Sequence, residues 1–170
     1  MRLVSVLSLG LVLGLGAGCA GYRFGPTGGY AAGERSIQIT PFYNQTLEPR
    51  LTDPITQQLR KQIQNDGTFR LATHGRGDIV VTGVILRYER VPMSFASGDV
   101  ATTLDFRISV TVHVTAREVA SDKTVLDRAV SGFTLIRVGN DLTSSERQAA
   151  PLLAEDLAKN ITSLLADGAW

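Results

Sequence analysis

The most regular pattern in the chain runs from Thr103 to Arg117. Leu104, Phe106, Ile108, Val110, Val112, Val114 and Ala116 alternate without a break with Thr103, Asp105, Arg107, Ser109, Thr111, His113, Thr115 and Arg117. Successive side chains of a strand point to opposite faces, so this segment predicts a strand apolar on one side and polar on the other. At ~3.3 Å per residue it spans roughly 45 Å. Earlier, a long strand is predicted from Asp78, with Val80, Thr82, Val84, Leu86 and Tyr88 on one face and Arg87 and Glu89 on the other. Residues 91–98 are expected to turn the chain between these two strands. Ser121-Asp122-Lys123 forms the next hairpin turn, and Thr124 to Val138 returns as a strand. Its apolar set is less regular near Ser131-Gly132, where a bulge is expected. Ile37 and Ile39 mark a short strand in 36–42, which Pro41 ends or confines to an edge. Residues 69–72 are a further short strand.

Two segments follow the helical period instead. Leu51, Ile55, Leu59 and Ile63 recur every four residues and share one helical face. Pro54 belongs in the first turn, Thr52 or Asp53 is the expected cap, and Gly67 is a left-handed stop. Near the end of the chain, Leu153, Leu157, Ile161, Leu164 and Leu165 form a second apolar stripe. Thr143-Ser144-Ser145-Glu146 fits a capping box in which Thr143 is the cap, and Pro151 predicts a kink or a restart. Two amphipathic helices cover only one face of such a sheet. The pattern therefore predicts an α+β two-layer sandwich, with two helices on one face of a mostly antiparallel four-stranded sheet. The expected order is strand, helix, strands, helix.

The first nineteen residues differ from everything after them. Arg2 precedes an apolar run from Leu3 to Leu15, and Gly16-Ala17-Gly18 leads into Cys19, the only cysteine. A basic end, a short apolar stretch and small residues before a cleavage site make a secretory signal; the run is shorter than the ~20 residues that cross a bilayer. A cysteine directly after the small residues predicts a bacterial lipoprotein signal over 1–18, with Cys19 lipidated as the first mature residue. The usual lipobox has Leu three places before the cysteine; here Gly16 stands there and Leu15 one further out. Residues 19–35, rich in Gly, form the expected tether, and 36–170 the single domain. About 150 mature residues suffice for one hydrophobic core.

Composition narrows the chemistry. With 17 basic and 16 acidic residues the formal charge is +1, so no strong field draws the chain to nucleic acid. One cysteine and two histidines leave no disulfide framework and no usual metal site. His113 lies on the polar face of a strand, and His74 lies in a Gly-rich loop. Asp105 and Asp127 are on separate strands, and the serines lack a nucleophile-elbow pattern. No catalytic residue is assigned, and no cofactor beyond a covalent lipid on Cys19.

Several segments together resemble the LPS-assembly lipoprotein family, LptE. They are Cys19 followed by Gly21-Tyr22-Arg23-Phe24; residues 37–46 (IQITPFYNQT) with Pro49 and Leu51; Asp66-Gly67; residues 78–85 (DIVVTGVI) with Tyr88; and residues 153–161 (LAEDLAKNI). The resemblance covers nearly all of the mature chain. It implies a non-enzymatic outer-membrane lipoprotein whose partner is the lipopolysaccharide (LPS)-translocating β-barrel. Such a protein plugs the barrel's lumen from the periplasmic side, assists the barrel's assembly and binds LPS. Recognition of lipid A phosphates calls for cations, and guanidinium forks suit it best. The family places such cations around the central strands and following loops; residues 94–99 here carry no Arg or Lys, so no basic residue transfers onto that loop, and the nearest candidates are Arg87, Arg90, Arg107 and Arg137, each also readable as a solvated strand residue or a barrel-facing one. Two other classes remain open: a different envelope lipoprotein adaptor or periplasmic binding module on a similar fold, and a lipid-anchored hydrolase using His113 or His74.

Overall fold

The computed structural model describes residues 31–138 and 141–167. The signal segment and Cys19 lie outside the described residues. Within them, six strands and two helices follow the order β1 (Ser36–Ile39), β2 (Tyr43–Asn44), α1 (Thr52–Asp66), β3 (Arg70–Leu71), β4 (Ile79–Ala96), β5 (Asp99–Glu118), β6 (Thr124–Arg137) and α2 (Leu142–Ala166). The fold is α+β, as the pattern predicts, but the sheet is neither four-stranded nor mostly antiparallel throughout. It has six strands in the order β3-β1-β4-β5-β6, with β2 also on β4. Two strands, not one, precede the first helix.

The mixed topology has a simple cause. Helix α1 carries the chain back to where β1 began, so β3 pairs with β1 in parallel, Ile37 opposite Leu71. The following loop crosses to the other side of β1, which then lies parallel to β4, Ile37 opposite Ile79. Asp78 pins this crossing: its carboxylate accepts the Ser36 amide and hydroxyl, both at 2.7 Å. These hydrogen bonds hold the Asp78 carboxyl below its ordinary range. Pro41 interrupts β1, and β2 resumes on the same edge of β4, Tyr43 opposite Val84. Beyond that point β4, β5 and β6 are joined by hairpins and are antiparallel.

The alternation in β5 sets the core. Val110, Val112, Val114 and Ala116 are fully buried, with Ile108 beside them. On β4 the buried set is Ile79, Val81 and Ile85, the opposite face from the one the sequence predicts. Both faces of this run are apolar, so period alone does not choose. A bulge at Leu86, where pairing skips from Ile85 opposite Val112 to Arg87 opposite Thr111, then brings Tyr88 round to the core side. Residues 91–96 continue β4 instead of turning, and Ser97-Gly98 is the whole turn. The expected bulge at Ser131-Gly132 is absent. Pairing is regular there, and the shift lies at Ala116/Arg117, beside the consecutive buried Val125 and Leu126. The apolar set of β6 is interrupted at Gly132 because helix α2 passes there. A Cβ on Gly132 would sit 2.6 Å from the Leu157 amide nitrogen.

Both helices bury the stripes read from sequence: Ile55, Leu59 and Ile63 on α1, and Leu153, Leu157, Ile161 and Leu165 on α2, while Leu164 is only partly buried. Gly67 ends α1 in the left-handed conformation, φ 74°. The N-terminal ends differ from expectation. Leu51 precedes α1 without a side-chain cap. Asp141, not Thr143, caps α2 by accepting the Ser144 amide at 2.7 Å. Glu146 is engaged elsewhere, by Arg90 from β4. Helix α2 runs unbroken through Pro151. Its side chains also cover part of the β6 edge: Asp156 accepts the Phe133 amide and Asn160 donates to the Ser131 carbonyl, both at 2.9 Å. Covering those groups blunts an edge that would otherwise pair with another strand.

Candidate functional site

With both helices on one face, the other face of the β4–β5–β6 sheet is open. Its lower part is polar, with hydroxyls set beside the His113–Asp127 contact and the Arg117–Asp122 ion pair. Thr111 and Ser131 hydroxyls are 3.0 Å apart, and Asp127 takes His113 Nε2 at 2.6 Å and the Thr115 hydroxyl at 3.3 Å. His113 therefore pairs with a carboxylate on a flat, exposed strand surface. His74 contacts the Thr73 hydroxyl in an exposed loop.

The upper part of the same face is different. Three successive pairings place Phe133 opposite Ser109, Val91 and Leu135 on either side of Arg107, and Ser94 and Arg137 on either side of Asp105. Val91, Phe133 and Leu135 are 48%, 45% and 62% exposed. The Arg107 guanidinium lies 4.0 Å from the Phe133 ring centroid. Such stacking orients the fork while leaving its N–H edges for an incoming anion. Arg137 donates to both Asp105 oxygens, at 2.9 and 3.2 Å. This pairing, with the Ser94 hydroxyl, holds the Asp105 carboxyl below its ordinary range. Arg87 faces the same side at the bulge, 3.8 Å from Glu89.

Three of the four candidate arginines thus share one surface, spread over roughly 20 Å of strand from the Thr111 to the Asp105 pairing. Arg90 does not join them. It pairs with Ile108 on the helix side, forms a bidentate contact with Glu146, reaches Glu48 at 3.5 Å, and stacks 5.1 Å from the Tyr88 ring centroid. Sequence reasoning also missed the apolar members, Phe133 and Leu135. The signal was available: they occupy the same parity as Arg137 and alternate with Gly132, Thr134 and Ile136. Together these residues form a surface of guanidinium forks set among exposed apolar side chains. Chemically it suits a ligand with phosphates and aliphatic chains in one molecule. Cys19 and residues 20–30 of the expected tether lie outside the described residues, whereas Gly33 and Arg35 already bond to the domain, the Gly33 amide to the Thr68 carbonyl at 3.0 Å and the Arg35 carbonyl to the Arg70 amide at 2.9 Å. No group of three His, Cys, Asp or Glu able to hold a metal occurs among those described.

Comparison with known proteins bears on the chain as a whole. The family model for LptE, lipopolysaccharide-assembly, matches residues 34–165. Among solved structures, the hypothetical protein CT253 from Chlamydia trachomatis superposes with a TM-score of 0.57 at 14% identity, covering 80% of this chain and 96% of that one. A putative lipoprotein from Caulobacter crescentus gives 0.50 at 10% identity, over 76% and 89%. A minor lipoprotein from Acinetobacter baumannii gives 0.50 at 16% identity, over 78% and 92%. These likenesses show a shared fold. No curated protein matches the sequence.

Proposed function

The chain belongs to the LptE lipopolysaccharide-assembly family, and on that premise we propose that it is a lipid-anchored outer-membrane subunit of the LPS translocon, bound within a partner β-barrel. Cys19 carries the anchor; at ~0.8 kcal/mol per buried methylene, two or three acyl chains hold it firmly. The open sheet face meets the barrel lumen below and LPS above. The observation that carries this reading is the change along that face. Below, hydroxyls and locally paired charges without exposed apolar side chains among them suit the water-lined inner wall of a barrel. The Arg87, Arg107 and Arg137 region, with Val91, Phe133 and Leu135, suits the phosphates and acyl chains of lipid A. The protein acts by binding and positioning and assigns no residue to bond cleavage.

The test is twofold. A tagged chain purified from outer membranes is expected to bring down a large β-barrel protein, and depletion is expected to lower surface LPS. A clean monomer with normal surface LPS after depletion would sink the proposal and leave a different envelope adaptor as the better reading. Charge reversal at Arg87, Arg107 and Arg137 is expected to weaken LPS binding while the protein stays folded. Unchanged LPS binding would remove these residues from the site.

A further inference from the structure

On the covered side, the sheet and the first turns of the two helices do not close on each other. A cavity of about 460 Å³ remains between them, within the ~300–1,000 Å³ range of small-molecule sites. Its floor is apolar: Leu51, Ile108, Ala149 and Leu153, all buried. The opening exists because α2 presents Ala149, Ala150 and Pro151 there instead of longer side chains, and α1 presents Pro54. Cations and carboxylates share the rim. Glu48 and Glu146 are both taken by Arg90. Arg50 and Arg147 also line the opening, and neither forms a salt bridge among the described residues. Tyr88, beside them, has its phenol pushed up to about 12 by burial first and by Glu146 second, so it adds no negative charge at neutral pH.

We infer that this cavity is a second lipid site, distinct from the open face, which holds one long aliphatic chain of a fatty acid against Leu51, Ile108 and Leu153 with its carboxylate at Arg50 and Arg147. The apolar floor selects the chain, and the rim, three guanidinium groups against the two carboxylates Glu48 and Glu146, favours an anionic head. The site is on the opposite face from Arg107 and Arg137, so it does not depend on the LPS reading.

The experiment uses the full chain with Cys19→Ala, which removes the acylation site and so any competing covalent acyl chain. The probe is cis-parinaric acid, a fluorescent long-chain fatty acid. Saturable binding is expected, with palmitate displacing the probe. Ala150→Trp, which fills the cavity, is expected to weaken binding at least tenfold. Arg50→Glu with Arg147→Glu leaves the floor intact and is expected to do the same. Arg107→Glu with Arg137→Glu is expected to leave parinarate binding unchanged. Absence of binding to the parent chain overturns the inference. So does undiminished binding to both the filled and the charge-reversed variants, or loss of binding on reversing the open-face arginines instead. If LPS binding fails while parinarate binding persists, the proposed function falls and this site stands.

Discussion

In the lower half of β5, from Ile108 to Ala116, every apolar side chain is buried against the helices, and the facing positions are Ser109, Thr111, His113 and Thr115. In the upper half, Phe106 is only partly buried and Leu104 is exposed, because the helix layer no longer covers them. There the open face carries Val91, Phe133 and Leu135 among arginines. One alternation builds both halves, yet only the lower one completes its burial within this chain. The apolar side chains of the upper open face contribute nothing to the core. An exposed apolar patch of this kind is what the proposed function, in which another molecule covers this face, requires.

The largest test of that division is a pair of truncations. Ile161→Ala removes a fully buried side chain and should cost about 2–5 kcal/mol in urea unfolding. Leu135→Ala removes a comparable volume from the open face and should change stability by less than about 0.5 kcal/mol. Equal costs at the two positions would mean that the upper face belongs to the folding core after all. Gly132→Val comes next. The added atoms meet the α2 backbone at Leu157, which must lift, at a cost of about 1–3 kcal/mol. A thermal melt unchanged by Gly132→Val would contradict the close seating of α2 on β6.

The comparison also explains what the sequence could and could not reveal. The β5 alternation is long and strict, so its core face was legible from period alone. On β4, Val80 and Val84 face away from the buried Ile79, Val81 and Ile85, and the bulge at Leu86 resets the parity. Only pairing with β5 decides which side is covered. Strands β2 and β3 are two residues each, too short to show any period, and they exist because β4 and β1 offer open edges. The capping motif misled for a related reason. Glu146 could have closed a box with Thr143, but a guanidinium from β4, 56 residues away in sequence, claims it. Arg90 stands three residues from Arg87, so strand alternation alone puts it on the other face, where Glu48 and Glu146 engage it. Arginines stand out in a sequence, whereas Phe133 and Leu135 become surface features only once the helices are known to lie on the opposite side.

The carboxylates sharpen the contrast through pH. Asp78, accepting from Ser36, and Asp141, accepting from Ser144, are both held below the ordinary value of 3.8 by hydrogen bonds within the fold. The unfolded chain binds these protons more tightly. The stabilisation is therefore complete above the unfolded value and is lost as pH falls through the lowered folded values. The urea midpoint should therefore fall as pH drops from above the ordinary carboxyl range through the lowered folded values. Asp78→Asn and Asp141→Asn should lower stability at neutral pH and flatten that fall. An undiminished slope in the double variant would place the acid sensitivity elsewhere.

Asp105 shows the same lowered pKa for a different reason, and it provides the smallest effect on stability with the most specific consequence. Its first cause is the Arg137 fork, and both groups lie on the uncovered upper face. Solvent and salt screen an exposed pair of this kind, so Asp105→Asn should leave the urea midpoint almost unchanged. What it changes is the occupancy of Arg137. On the proposed function, with Asp105 ionised, a lipid A phosphate would have to displace a bidentate partner before it could use that guanidinium. With Asn in its place, the fork is free, and LPS should bind a few-fold more tightly, with the gain screened away by salt. Asp78→Asn, in the lower half, should show the reverse: lower stability and no change in LPS affinity. If Asp105→Asn weakens LPS binding instead, Asp105 positions Arg137 for the ligand and does not compete with the phosphate. The upper face would then be a pre-formed site, held ready in the free protein.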